Sequence, residues 1–399
     1  MRISNRGRSI QASPIRKLAA IANETKKKGI NVYHLNIGQP DIHTPDVFYK
    51  AVKDFDDKVL SYGPSDGLPE LKATMKDYFN QYDIELLESN IVITNGGSES
   101  ISFAFNVIAD PGDEIIIPEP FYTNYNGYAS LSNVNIVPIT TKPENGFHLP
   151  DKKEIEKKIS EKTRAILVCS PNNPTGTIYS EEEIRMIGEI VKDNDLYLIA
   201  DEVYKEFTYG DKKHFSVLEL DDITDRVIVV DSISKRYSAC GARIGAVISR
   251  NKDVISSILK FAQARLCPPT LEQIGAIASY KLPLSYFNEI REEYQKRRDT
   301  IFEILTSNKD VVLQKPEGAF YIMAKLPIDD ADKFAKWMLE EFSVNNETVM
   351  IAPGGGFYAT EGMGKQEIRI AYVLGQEKLR KAGEILLKGI EEYRRINNL

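Results

Sequence analysis

Three features of the 399-residue sequence predict an α/β fold, with a mostly parallel seven-stranded sheet in a large domain joined to a smaller α+β domain. Seven short apolar runs rich in β-branched residues recur between positions 91 and 248, with helical stretches between many of them. The runs lack the period-two alternation of a half-exposed sheet, so they suit strands covered on both faces. From about residue 285 the texture changes to a charged amphipathic helix, Tyr286 to Leu305, followed by shorter strands and helices.

In chain order the predicted strands are Ile91 to Thr94, Glu114 to Ile117, Asn135 to Ile139, Ala165 to Val168, Leu196 to Ala200, Val227 to Val230 and Ala246 to Ile248. No long Gly/Ser linker, repeat or low-complexity tract divides the chain, so boundaries rest on element order. That order places a large domain at 46–284, with a smaller one built from 1–45 and 285–399.

An apolar content of 42% can fill a large core, and the net charge of −7 offers no positive field for nucleic acid. The basic cluster Lys26-Lys27-Lys28 reads as a helix end facing water. Cys169, Cys240 and Cys267 have no metal-type or redox-type spacing, and an odd number of cysteines in a long chain argues for a reducing compartment. No metal site is expected. No apolar h-region follows the amino terminus and no run of eighteen apolar residues occurs, so a cytoplasmic protein without membrane contact is expected.

Open parallel sheets bind ligands beyond the carboxyl ends of their strands. Here those ends lead into Asn95-Gly-Gly-Ser-Glu99, Cys169-Ser-Pro-Asn-Asn-Pro-Thr-Gly176, Asp201-Glu-Val-Tyr204 and Asp231-Ser-Ile-Ser-Lys235. The set suits a phosphorylated aromatic aldehyde. Gly96, Gly97 and Ser98 at a helix start present N–H groups to an anion. Ser232, Ser234 and Arg243 add hydroxyl donors and a guanidinium. Asp201 can hold a proton on a ring nitrogen, while Asn173 and Tyr204 can donate to a ring oxygen.

Lys235 itself admits three readings: a solvated lysine, the lysine of a Ser-x-x-Lys acyl-transfer site with Ser232, or a nucleophile that forms a Schiff base with a carbonyl. The acyl-transfer reading lacks a Lys-Thr-Gly or Lys-Ser-Gly partner motif, and Ser232 follows a strand where it should open a helix. Cys240 reads as a small core residue, and Tyr122 and Tyr125 as either packing or, for Tyr122, a stacking ring. Gly354-Gly-Gly356 has no phosphate-loop spacing and reads as a flexible loop facing the substrate.

Asn36-Ile-Gly-Gln-Pro-Asp41, Tyr62-Gly-Pro-Ser-Asp-Gly67 with Leu71, Gly96-Gly-Ser98, Pro171-Asn-Asn-Pro-Thr-Gly176, Asp201-Glu-Val-Tyr204, Ser232-x-Ser-Lys235 with Arg243, and Ile368-Arg-Ile370 occur in this order along nearly the whole chain. With them the sequence resembles the class I and II aminotransferases, pyridoxal 5'-phosphate enzymes of fold type I similar to aspartate aminotransferase. The resemblance implies that Lys235 carries the cofactor and that Asp201 pairs with its pyridinium. It makes Asn173 and Tyr204 donors to the phenolic oxygen, and Gly97, Ser98, Ser232, Ser234 and Arg243 part of the phosphate cradle. Tyr122 then lies against the ring, and Tyr62 reaches the phosphate of a neighbouring subunit, implying a homodimer with shared sites. Arg369 clamps the substrate α-carboxylate, assisted by Asn173 and the backbone of Gly38.

The implied reaction is ping-pong transamination between an amino acid, with aspartate or an aromatic residue favoured, and a 2-oxo acid, 2-oxoglutarate first among them. Some aspartate-using members place a lysine where Ser98 stands, which makes Arg265 a candidate replacement for a side-chain carboxylate. A carbon–sulfur lyase on the same fold is an alternative. A third is a non-catalytic pyridoxal-binding sensor, though the thirty or so residues before the fold are too few for an appended DNA-binding module.

Overall fold

The computed structural model describes residues 2–11 and 13–399. Among the described residues thirteen strands occur in chain order: β1 (Asn31–His34), β2 (Ile91–Thr94), β3 (Glu114–Glu119), β4 (Asn135–Thr140), β5 (Thr163–Cys169), β6 (Tyr197–Asp201), β7 (Val227–Ser232), β8 (Gly245–Ile248), β9 (Val312–Leu313), β10 (Tyr321–Lys325), β11 (Glu347–Met350), β12 (Ala352–Pro353) and β13 (Glu367–Ala371). The seven-stranded sheet has the order β2-β8-β7-β6-β5-β3-β4. Its strands pair in parallel except β8, which runs antiparallel to both β2 and β7.

The central strands are buried on both faces, as their unbroken apolar runs require: Ile166, Leu198, Ile199, Ile228, Val229 and Val230 have no exposed surface. Covering helices supply the other half of each contact. Helix Glu181–Asp193 begins in a reciprocal cap, in which Ser180 Oγ accepts from Glu183 N at 3.2 Å and Glu183 Oε2 accepts from Ser180 N at 2.8 Å. Its buried face is Ile184, Ile187, Ile190 and Val191, the spacing of one helical stripe.

A second structural layer joins the two ends of the chain. Strand β1 pairs in parallel with β11, and β9, β10, β12 and β13 form a separate antiparallel sheet in the order β12-β13-β10-β9. Helix Tyr286–Thr306 packs on helix Gln376–Asn397, where Gly383 lets the backbones approach: an added Cβ would lie 3.0 Å from Ile301 Cδ1. No helix among the described residues is long and apolar enough to cross a membrane.

The segment Gly354–Phe357 departs from its expected role. It forms a turn of 3₁₀ helix packed for close contact: an added Cβ on Gly354 would meet Glu367, and one on Gly356 would lie 2.3 Å from Pro14 Cβ. These glycines serve backbone packing, and the turn does not line the cavity described below.

Candidate active site

The carboxyl ends of β2, β5, β6 and β7 open onto a cavity of about 630 Å³ that β10 and β13 close from the other side. It is lined by Gly38, Gly97, Ser98, Tyr122, Asn173, Asp201, Tyr204, Ser232, Ser234, Lys235, Arg243 and Arg369. The volume is in the range of small-molecule sites.

One wall is built for an anion. After β2 the chain turns at Gly96 with φ +76°, and helix Gly97–Ile108 starts with its free N–H groups at the cavity. Glycine is required at 96 for two reasons. Its φ disfavours a side chain, and an added Cβ would lie 2.3 Å from Arg243 Nη2. Arg243 is held by Cys240 O at 2.9 Å and reaches Ser234 Oγ at 3.4 Å. Ser232 is engaged internally: its Oγ accepts from Ser234 N at 3.1 Å, capping the short helix Ile233–Arg236, and lies 3.0 Å from Ile244 O.

At the centre, Asp201 ends β6 and is almost fully buried. Burial pushes its carboxyl up to about 6, against the opposing hydrogen bond from Tyr125, whose hydroxyl donates to Oδ2 at 2.7 Å. Tyr125 therefore does more than pack. It sits three residues beyond Tyr122, at the start of helix Asn124–Ser132, which sends the two rings to different depths of the same wall.

Lys235 Nζ donates to Gly38 O at 2.8 Å and stands 3.8 Å from Cys240 Sγ. Cys240 accordingly lines the cavity and is no core residue; its thiol donates to Ser234 O. The residue after the lysine faces the opposite way. Arg236 is fully buried, with Nη1 and Nη2 on the two oxygens of Asp231 at 2.9 and 2.6 Å, Nε on Glu206 at 2.7 Å and Nη1 also on Tyr280 OH at 2.7 Å. Burial would raise Asp231, but Arg236 outweighs it and holds the carboxylate below its ordinary range. Lys205, 3.7 Å from the centre of the Phe79 ring, is pushed down to about 8 by the same burial. This network anchors the helix that presents Lys235.

Opposite Lys235, Arg369 on β13 is buried. Its Nη1 donates to Asn173 Oδ1 at 3.0 Å and its Nη2 to Asn36 O, and its guanidinium lies 4.6 Å from the centre of the Tyr321 ring. Among the described residues Nε has no partner, and burial lowers the guanidinium from its ordinary value. A desolvated cation left partly unbonded is poised for a carboxylate. Tyr321 ties this region to the rest, with its hydroxyl 2.9 Å from Tyr204 OH and 3.4 Å from Gly38 O. Position 38 must be glycine here, because an added Cβ would lie 1.9 Å from Tyr321 OH.

Two expected residues lie elsewhere. Tyr62 is 82% exposed and outside the cavity of its own chain. Arg265 is also outside: it pairs with Glu99 at 3.3 Å and donates to Ser65 O and Ile93 O at 3.3 and 3.0 Å, so its charge is spent on stitching β2 to its neighbours. Conversely, sequence reasoning passed over Tyr321, Tyr128, Asn124 and Arg16, all of which line the cavity. For Tyr321 the missing information was the β10–β13 pairing, which sets Met323 opposite Arg369.

Comparison with known proteins agrees with this geometry. Residues 30–386 match the family described as aminotransferase class I and II. The chain is 33% identical to an aspartate aminotransferase of Bacillus subtilis (98% of this chain, 100% of that protein) and 31% identical to a probable aspartate/prephenate aminotransferase of Aquifex aeolicus (98% and 99%). Among solved structures it resembles an alanine aminotransferase from Pyrococcus furiosus, with a TM-score of 0.90 at 32% identity (98% and 100%). It also resembles the aspartate aminotransferase of Thermus thermophilus with maleate, with a TM-score of 0.87 at 28% identity (98% and 100%).

Proposed function

Because the chain belongs to the aminotransferase class I and II family, we propose that it moves the α-amino group of an amino acid, with aspartate or an aromatic residue as donor, to 2-oxoglutarate in two half-reactions. The carrying observation is that Lys235 and the partly unbonded Arg369 line one cavity, which offers an amine and a cation to the two ends of an amino acid.

The residues present fit pyridoxal 5'-phosphate, the cofactor that members of this family use. When bound, it supplies an electron-withdrawing ring that stabilises negative charge left at the substrate α-carbon. The amide groups at Gly97 and Ser98, with Ser234 and Arg243, would hold its phosphate, and Ser232 would position Ser234. Asp201, buried beside Tyr125, would gain a cationic partner in a protonated ring nitrogen, which would draw its carboxyl back down toward the ordinary range. Asn173, whose Oδ1 is taken by Arg369, has its amide N–H groups left to donate to the ring oxygen with Tyr204. Tyr122 would lie against the ring.

In each half-reaction Arg369 binds the α-carboxylate, assisted by the Gly38 backbone and Asn173. Lys235 would take the proton from the α-carbon as general base and deliver it, as general acid, to the cofactor carbon that holds the amino nitrogen. Gly38 O, 2.8 Å from Nζ, orients the amine between these duties. The aminotransferase names of the relatives favour transfer over carbon–sulfur cleavage.

The same reading divides the chain into 1–45 with 285–399 and 46–284, a division supported by the β1–β11 pairing. It makes the active unit a homodimer in which Tyr62 completes the partner's phosphate site. The neighbouring exposure of Val59 and Leu60 supports an interface there. Three unpaired cysteines suit a cytoplasmic, reducing setting.

Borohydride reduction of the cofactor-loaded protein should attach the label to Lys235, and Lys235→Ala should abolish turnover while leaving circular dichroism unchanged. Label on another residue, or normal turnover of the variant, would refute the assignment.

A further inference from the structure

Among the described residues four cationic ones line the cavity, and the proposed function assigns three: Lys235, Arg243 and Arg369. The fourth is Arg16. Its guanidinium has no hydrogen bond, ion pair or ring contact among the described residues, whereas its neighbour Lys17 is paired with Asp332. The one acidic side chain among the described cavity-lining residues, Asp201, is bonded to Tyr125.

The segment that carries Arg16 is anchored. Pro14 is buried against Gly356, Ile15 packs on the cluster containing Phe147 and Phe357, and Arg16 N donates to Ser13 O at 3.1 Å. Asn36 couples this segment to the carboxylate clamp, because its Nδ2 donates to Ile15 O at 2.9 Å while its own carbonyl accepts from Arg369. One residue thus sets both arginines. Neither sequence-level candidate for a second carboxylate can compete: Ser98 carries no charge, and Arg265 is held by Glu99 outside the cavity.

We propose that Arg16 determines specificity by binding the side-chain carboxylate of a dicarboxylic substrate, aspartate, glutamate or the corresponding 2-oxo acid, while Arg369 takes the α-carboxylate. The inference rests on the aminotransferase reading above. Arg16 is solvent-exposed on an anchored backbone, and a cation without a protein counter-charge discriminates by complementarity, favouring the ligand that brings the second anion over one that brings an apolar side chain.

The test compares wild type, Arg16→Met and Arg16→Lys as cofactor-loaded enzymes, measuring kcat/KM of the half-reactions with aspartate, alanine and phenylalanine. In Arg16→Met the aspartate value should fall by about thirtyfold or more, with changes below about threefold for alanine and phenylalanine, and Arg16→Lys should recover part of the loss. A second measurement needs no turnover: calorimetry should find succinate bound about tenfold or more weakly by Arg16→Met, and propionate bound as by wild type. Equal losses for all donors, or unchanged succinate binding, would overturn the proposal. Wild type that uses alanine or phenylalanine but no dicarboxylic donor would overturn it and leave the aminotransferase reading standing, whereas wild type that uses no amino acid at all would remove both.

Discussion

Asp201 illustrates how a single residue trades stability for function. Its carboxyl is about 6 when folded against an ordinary 3.8, so the folded state favours the protonated form. No penalty exists below the unfolded value, and a penalty builds as pH rises from 3.8 to 6 and is complete above that. In the cofactor-free protein Asp201→Asn, which can still accept from Tyr125, should therefore raise stability by about 1–3 kcal/mol at pH 8 and leave it unchanged at pH 4, measured by urea denaturation. The same variant should lose cofactor affinity, because no carboxylate remains to pair with a ring cation. An unchanged or lower stability at pH 8 would show that burial costs this carboxylate nothing. The sequence marked Asp201 as a strand-end acid, but its partner Tyr125 reads there only as packing. The hydrogen bond between them follows from the tertiary structure, which buries both at the base of the cavity.

Among the elements, the turn from β2 into helix Gly97–Ile108 concentrates the most constraint. Its apolar strand and its Gly-Gly-Ser sequence were legible, since a strand running into glycines and a helix start has few other uses. Illegible was the partner across the turn: Arg243 comes from a segment 147 positions later, itself in the left-handed region at φ +55°. Gly96→Ala should fold with a cost of about 1–3 kcal/mol from a backbone conformation, φ +76° and ψ 170°, that is essentially reserved for glycine. It should bind pyridoxal phosphate about tenfold or more weakly, because Arg243 has to move away from the helix start. Equilibrium dialysis with the cofactor separates the two effects, as a variant that is destabilised but binds normally would mean that Arg243 is no part of the cradle. At the next scale up, helix Ile233–Arg236 shows one element with two opposed duties, Lys235 facing the cavity and Arg236 facing a buried ion network.

For the whole molecule, the proposed dimer makes a prediction that no single site can. If Tyr62 serves the partner's cavity, Tyr62→Phe should weaken cofactor binding about tenfold. Mixing Tyr62→Phe with inactive Lys235→Ala should then form hybrid dimers with one intact site and restore wild-type-like cofactor affinity in that site. A mixture that shows only the sum of its parts after subunit exchange, or a fully active monomer in sedimentation at assay concentration, would remove Tyr62 from the shared site. Sequence alone determined the seven strands, the α/β class and the rim residues at strand ends, because unbroken β-branched runs and strand-end glycines, amides and acids are local signals that survive without knowledge of neighbours. Tertiary structure decided the fate of the arginines. In the sequence Arg265 is the candidate for a second carboxylate and Arg16 is passed over, yet Arg265 is consumed by Glu99 and Arg16 opens onto the cavity, since a guanidinium's role depends on which acids and carbonyls the fold brings within reach. It likewise decided Tyr321, whose hydroxyl joins Tyr204 to the Gly38 carbonyl only because β10 pairs with β13 and residue 38 has no side chain.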